Sequence, residues 1–236
     1  MKIKILSWNV RGVNDRNKRK LIKALIRSQK VDLVCLQETK MIEMSLGVVR
    51  SLGVRRYLGW GALNARGAIG EVVVFWDNRV LELVGMEVGL FSISCRFKNC
   101  EDGFRWTFSG VYGPIMRSYR EFFWEELGAI RRLWNDPWCI GGDFNMIRFL
   151  NERRRRGRVS SSMRRFSKVI NDLDLRDFPF QGGPYTWSGG LNNQTMSRLD
   201  RFLVSEDWES HFNGVVQSTL PRPVSVTFPS YWMGEG

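Results

Sequence analysis

The sequence predicts an α/β fold in which mixed β-sheets are sandwiched between helices. Short apolar runs of strand length recur along the whole chain. Some alternate with amphipathic helical segments, as βαβ units do. Others follow one another with only a turn between, as antiparallel hairpins do. An all-parallel doubly wound sheet would show the first pattern alone. No repeat, linker or low-complexity segment divides the 236 residues, and one domain is the simplest organisation.

Taken in order, "KIKILSWNV" alternates and predicts a strand. "RNKRKLIKALIRSQK" predicts a helix, with Leu21, Leu25 and Ile22, Ile26 at helical spacing and a cationic opposite face. "VDLVCLQET" is a short apolar run ending in polar residues, the pattern of a buried strand. "EVVVFWDN", "VLELVGMEVGLFSISCRF" and "FRWTFSGVYGP" predict successive strands joined by hairpins. "RSYREFFWEELGAIRRLW" is an amphipathic helix and "WCIGGDFN" a strand. "SSMRRFSKVINDLDL" predicts a helix for which Ser160–Ser162 offer N-caps. "PYTWSG" and "SRLDRFLVS" are strands, "EDWESHF" is a helical turn, and "VVQSTLPRPVS" is a last extended piece.

Composition narrows the function. Lys and Arg number 36 against 24 Asp and Glu, a formal charge of +12 that attracts polyanions. Residues 148–168 concentrate it, with nine Lys/Arg and one acid. Its densest part is Arg153, Arg154, Arg155 and Arg156. No run approaches the roughly 18 apolar residues of a membrane span. The opening "MKIKILSWN" is too short and polar for a signal peptide, so an intracellular protein is expected. The four cysteines show no CxxC spacing and read as buried reduced thiols.

Several polar residues lie where an apolar strand stops, and in sheet proteins sites assemble at strand ends. Asn9 follows "ILSW", Glu38 follows "LVCLQ", Tyr112 follows "FSGV", Asp143 and Asn145 follow "WCIGG", and Asp200 lies in "SRLDRF". There is no P-loop, which argues against nucleotide-triphosphate hydrolysis. The sole histidine, His211 in the polar "DWESHF", reads as a surface helix residue, so no Ser-His-Asp arrangement is expected. Hard oxygen ligands, carboxamides and a phenol remain. Such a set suits Mg²⁺ and a phosphate: Asp143 orienting a water, Asn145 holding the phosphate, and Gly141 and Gly142 letting it approach the backbone.

Together "LSWNVRG", "LQETK", "VYGP", "GGDFN" and "SRLDRFLVS" resemble, in order, the motifs of the endonuclease/exonuclease/phosphatase superfamily. "GGPYTWSGG…SRLDRFLVS" and "LPRPVS" are more narrowly similar to plant LINE-type retrotransposon endonuclease domains, and the resemblance covers about residues 1–229. It implies a four-layer α/β sandwich with two mixed sheets and DNA nicking dependent on Mg²⁺, with Mn²⁺ as a substitute. It implies DNA as partner, a monomer and a nuclear location. By matching motif, Glu38 resembles the metal ligand and Asn9 the residue beside it that positions metal and phosphate. Tyr112 resembles a phosphate-contacting phenol, Asp143 the residue orienting the water, and Asn145 the transition-state phosphate contact. Asp200 resembles the acid that orients the catalytic histidine, and Trp187 a DNA-strand contact.

The departure is at the end. Where the family closes with Ser-Asp-His-Phe-Pro, this chain has Ser225-Val226-Thr227-Phe228-Pro229. Neither Val226 nor Thr227 supplies an acid, a base or a carboxylate. An impaired nuclease is expected, with a non-catalytic nucleic-acid-binding relic or a phosphatase of the same fold as alternatives. The closing "SYWMGEG" is set apart as an aberrant tail over 230–236, as a one-base frame shift would produce, leaving the last strand unpaired. An intact reading frame at the locus would refute the frame shift.

Overall fold

The computed structural model describes residues 1–53, 58–64, 70–154, 157–189, 195–220 and 230–235. The first part alternates: β1 (Lys2–Asn9), α1 (Arg16–Gln29), β2 (Leu33–Gln37), α2 (Leu46–Leu52), β3 (Leu58–Leu63) and β4 (Val72–Asp77). A meander follows, β5 (Leu81–Val88), β6 (Ser92–Asn99) and β7 (Arg105–Tyr112), then α3 (Arg120–Trp134), β8 (Trp138–Asp143) and α4 (Ser161–Asp172). Short strands β9 (Leu175–Asp177), β10 (Phe180–Gln181), β11 (Trp187–Gly189) and β12 (Thr195–Ser197) lead to β13 (Asp200–Ser205). The chain ends with α5 (Glu206–His211), β14 (Val216–Thr219) and β15 (Ser230–Glu235).

Two mixed sheets result. The first has the order β10-β14-β15-β1-β2-β4-β3 and the second β5-β6-β7-β8-β13-β9. β1 with β2 and β7 with β8 are parallel, because a helix connects β1 to β2 and another connects β7 to β8. Between the sheets lies one core, with Ile5, Cys35 and Val74 facing Phe108, Cys139 and Phe202. Outside the first sheet, Trp8 and Phe75 pack against Ile22 and Ile26 of α1 and Val49 of α2. Outside the second, Ile140 and Leu203 pack against Phe123 of α3 and Phe166 of α4. The order helix–sheet–sheet–helix is the four-layer sandwich.

Local signals set the helices. Asp15 caps α1 by accepting from the Lys18 N–H at 2.7 Å, and Ser160 caps α4 by accepting from the Met163 N–H at 3.2 Å. Of the apolar positions in α1, Ile22 and Ile26 are buried, whereas Leu21 is exposed. α2 and β3 carry no clear sequence signal. α2 is seven residues long and contains Gly47, and the glycines of β3 hide its alternation. A side chain at Gly59 would collide with the Trp76 ring of β4.

The closing segment corrects an expectation. Residues 230–235 form β15, which pairs with β1 from Lys2↔Glu235 to Ser7↔Ser230 and with β14 on its other side. They are a central strand of the first sheet and leave no edge unpaired. Cys35, Cys95 and Cys139 are buried and free, whereas Cys100 is free but exposed. Burial pushes the Cys35 thiol up to about 12, which keeps it protonated and unreactive. Among the described residues, no helix is long and apolar enough to cross a membrane.

Candidate active site

Sheet register lines up the strand-end groups. β7 and β8 pair Tyr112↔Asp143, and β13 and β8 pair Asp200↔Asp143. Tyr112, Asp143 and Asp200 therefore share one row at one end of the second sheet. In the first sheet Asn9 pairs with Gln37, which places Glu38 one residue past it. Packing one sheet on the other brings the two rows together.

Asn9 joins them. Its buried Nδ2 donates to Glu38 Oε1 at 2.8 Å and to Asp143 Oδ2 at 2.9 Å. The Tyr112 hydroxyl donates to the same Glu38 Oε1 at 2.9 Å. Asp143 Oδ1 accepts from the Asn145 backbone N–H at 2.7 Å, and Asn145 Nδ2 donates to the Gly113 carbonyl at 2.8 Å. Glu38 and Asn145 both sit at φ 51°, in the left-handed region. Asn tolerates that region, whereas for Glu38 it costs on the order of 1–3 kcal/mol. The strand pairing on both sides of Glu38 and its N–H bond to the Glu71 carbonyl at 3.0 Å hold it there.

The two glycines before Asp143 do not clear space for a phosphate. A side chain at Gly141 would strike the Phe202 ring, and one at Gly142 would strike the Val111 carbonyl oxygen. Both serve close packing of β8 against its neighbours. The sequence motif thus marks the right turn, but for a different physical reason.

Burial shapes the charges. It pushes the Asp143 carboxyl up to about 6, with the Glu38 charge adding to the rise and the Asn9 and Asn145 hydrogen bonds and Arg11 opposing it. Burial, with the Glu38 and Asp143 charges, raises the Tyr112 phenol far above its usual range and keeps it protonated. Asp200 is 1% exposed, and neither carboxylate oxygen has a hydrogen-bond partner among the described residues. Burial and the Asp143 charge raise its pKa well above the carboxylate range, against the pull of Thr186 and Arg201. Lys18, beside Lys40 and Arg11, is pulled down by burial and by those two cations. These cations border Glu38 and were not singled out from the sequence.

A raised acid pKa costs stability once the pH rises through it. Asp200→Asn is therefore expected to stabilise the metal-free protein at pH 8 by about 1–3 kcal/mol, the cost of an unsatisfied buried group. Near pH 3, where the acid is neutral folded and unfolded, the gain should vanish. Thermal melting in chelator at both pH values checks this, and an equal gain at both would show that charge is not the cause.

The other sequence candidates fall around this centre. Trp187 is half-buried on β11, next to Thr186, whose Oγ1 accepts from the backbone N–H groups of Leu199 and Asp200. Arg153 bridges to Ser197, and the Arg154 N–H donates to the Met196 carbonyl at 3.0 Å, tying the basic run to β12. Arg155, Arg156, Val226 and Thr227 lie outside the described residues. His211 stacks on Phe104 and contacts Asp102 at 3.1 Å, at the opposite end of β7 from Tyr112.

Sequence reasoning missed a buried ion network under the site. Arg201 is fully buried and donates to Glu152 at 3.0 Å and to Asp177 at 2.7 Å. Arg198 donates to Asp177 at 2.6 Å, and Arg201 also reaches the Met146 carbonyl, the residue after Asn145, at 3.3 Å. Arginines read as exposed by type, and no local pattern marks these as buried.

The geometry can be set beside known proteins. The model of the endonuclease/exonuclease/phosphatase family matches residues 6–230. No curated protein matches. Among solved structures, the AP endonuclease LMAP from Leishmania major is similar at a TM-score of 0.78 and 18% identity, covering 100% of this chain and 88% of that one. The endonuclease domain of TRAS1, a telomere-specific non-LTR retrotransposon, is similar at 0.74 and 13%, covering 99% and 98%. The 3′ phosphatase NExo from Neisseria, bound to a product DNA hairpin, is similar at 0.75 and 19%, covering 99% and 100%. At these identities the structures show a shared fold. With the family match running from β1 to the start of β15, they leave one assignment: this chain belongs to the endonuclease/exonuclease/phosphatase family.

Proposed function

We propose that this chain is a DNA phosphodiesterase of the retroelement endonuclease type, similar to plant LINE-type domains, in a copy with impaired catalysis. The observation that carries the reading is the Asn9 bridge, one carboxamide holding Glu38 and Asp143 together across two sheets. The +12 charge favours a polymeric anion over a small phosphate ester, which argues against a phosphatase acting on inositol phosphates or lipids. A monomer acting in the nucleus fits such a substrate.

The donors fit Mg²⁺, with Mn²⁺ as a substitute. The Asn9 and Tyr112 hydrogen bonds to the Glu38 carboxylate both fall on Oε1, which leaves Oε2 without a donor among the described residues. Among the described residues no group of three or more His, Cys, Asp or Glu could hold a metal. Mg²⁺ does not need one, since it takes one or two carboxylates and fills its shell with water and phosphate oxygens. Glu38 would hold it, with Asn9 beside. Bound there, the ion would supply charge stabilisation to the phosphate. Asp143, ionised above about pH 6, takes a proton from the attacking water. Asn145 carries a second side-chain N–H beyond that given to Gly113, beside the Tyr112 phenol, and it would be offered to a phosphate oxygen. Tyr112 stays protonated and holds Glu38 in place.

A second reading, a nucleic-acid-binding relic without catalysis, is favoured by the Asp200 carboxylate, which has no hydrogen-bond partner among the described residues. An acid that orients a histidine would be orphaned in this way when Thr227 replaces that histidine.

The test is supercoiled-plasmid nicking with Mg²⁺ beside duplex binding across a salt series. Little nicking and strongly salt-dependent binding are expected. Changing Arg153, Arg154, Arg155 and Arg156 to Ala should lower the slope of log affinity against log salt by roughly one per lost phosphate contact. Absence of duplex binding at low salt would refute the DNA reading.

A further inference from the structure

The single acid within residues 148–168 does not neutralise the surface around it. Glu152 is 5% exposed and turned inward, where Arg201 and Arg198 hold its carboxylate. Glu152 thus leaves the outward cations of this stretch to other partners: Arg165 pairs with Glu121 and Lys168 with Asp172, both near the surface.

Among them lies a groove of about 760 Å³ between the loop at Arg148–Asn151 and α4. Its walls include Met163, which is buried, and Phe149 and Val159, which are 49% and 47% exposed. Arg148, Arg164 and Lys168 also line it. The one acid among its lining residues, Asp172, is held by Lys168 at 3.0 Å. The Arg148 guanidinium lies over the Phe149 ring, 4.8 Å from its centroid, and backs that ring as a platform.

An apolar floor with a cationic rim matches a ligand that is anionic and carries flat apolar groups. Duplex DNA offers its phosphates outside and keeps its bases stacked within. An unpaired strand offers both. The volume falls within the range of about 300–1,000 Å³ typical of ligand pockets, so the groove suits a short stretch of strand. We propose that this groove binds unpaired nucleic acid, with a base stacked on Phe149 against Val159 and Met163, and phosphates on Arg164 and Lys168. Phe149 lies four residues after Asn145, so the groove would receive single strand next to the reaction site. The binding does not require cleavage. It goes beyond the proposed nicking activity and stands or falls separately from it.

The test measures binding of a fluorescent oligothymidylate and of a blunt hairpin duplex to the full chain by anisotropy, in chelator so that cleavage does not enter. Phe149→Ala is expected to weaken oligothymidylate binding about tenfold, within the range for one stacked base. Duplex binding should change less than about twofold, since no base is free to stack. Phe149→Trp should retain oligothymidylate affinity, and Val159→Asp should lose it. Both sites are exposed, and unchanged melting temperatures would confirm folding. The proposal is overturned if Phe149→Ala and Val159→Asp leave oligothymidylate affinity unchanged. Equal losses for oligothymidylate and duplex would also overturn it. So would polyglutamate displacing the oligothymidylate as well as unlabelled oligothymidylate does, since the groove would then be reading an acidic chain.

Discussion

Changing Val226 to Asp and Thr227 to His together is expected to raise Mg²⁺-dependent nicking of supercoiled DNA by at least about 10²-fold, the lower end for one acid/base group. The groups proposed to carry the reaction already meet. Glu38, Asn9, Asp143 and Asn145 are joined by direct hydrogen bonds, and Tyr112 supports Glu38. On the proposed reading, what Val226 and Thr227 fail to supply is a protonatable group where negative charge would build on the phosphate. Asp200 bears on the same defect. Its buried carboxylate, without a hydrogen-bond partner among the described residues, is what an imidazolium would stabilise and be stabilised by. Adding Asp200→Asn to the restored variant should therefore remove much of the gain. No change to residues 230–236 is needed, because β15 already pairs on both sides. Robust nicking by the unmodified chain, lost in Glu38→Ala, would show that the site works without the histidine and that this account of the defect is wrong.

The largest stability effect is expected at Arg201. Arg201→Met should cost about 3–5 kcal/mol, the range for removing one partner of a buried ion pair. Arg201 is fully buried between Glu152 and Asp177, and its guanidinium lies 5.1 Å from the Phe166 ring centroid. Without it the two buried carboxylates would keep Arg198 and Arg148 as their cationic partners among the described residues. The pH dependence follows from Glu152. Burial raises its pKa, but the Arg201 charge and hydrogen bonds outweigh burial, and the net shift is downward. A depressed acid pKa stabilises above the unfolded value of about 4.3, and this contribution is lost as pH falls through the folded value. The cost of Arg201→Met should thus be largest near neutrality and shrink in acid. Denaturant unfolding at pH 7 and pH 3 measures both. A loss that stays the same at both pH values would mean that Arg201 acts by packing on Phe166 and not by charge.

By itself the sequence determined what near neighbours decide. The apolar alternation that ends at Asn9, the buried run that ends at Glu38 and the glycine turn before Asp143 each marked a strand end. Asp15 and Ser160 marked helix starts through their own hydrogen bonds. The order of the motifs indicated the family. Short or glycine-rich elements such as α2 and β3 escaped, because their stability comes from packing and not from periodicity. Only the tertiary structure decided which strand ends meet. Asn9 and Asp143 are 134 positions apart, and their hydrogen bond exists because two sheets with set registers stack face to face. The same long-range pairing placed residues 230–235 in the middle of a sheet, gave Gly141 and Gly142 a packing role, and buried Arg201 on two carboxylates. Local patterns report how a segment sits relative to water, while register and stacking depend on partners far away in the chain.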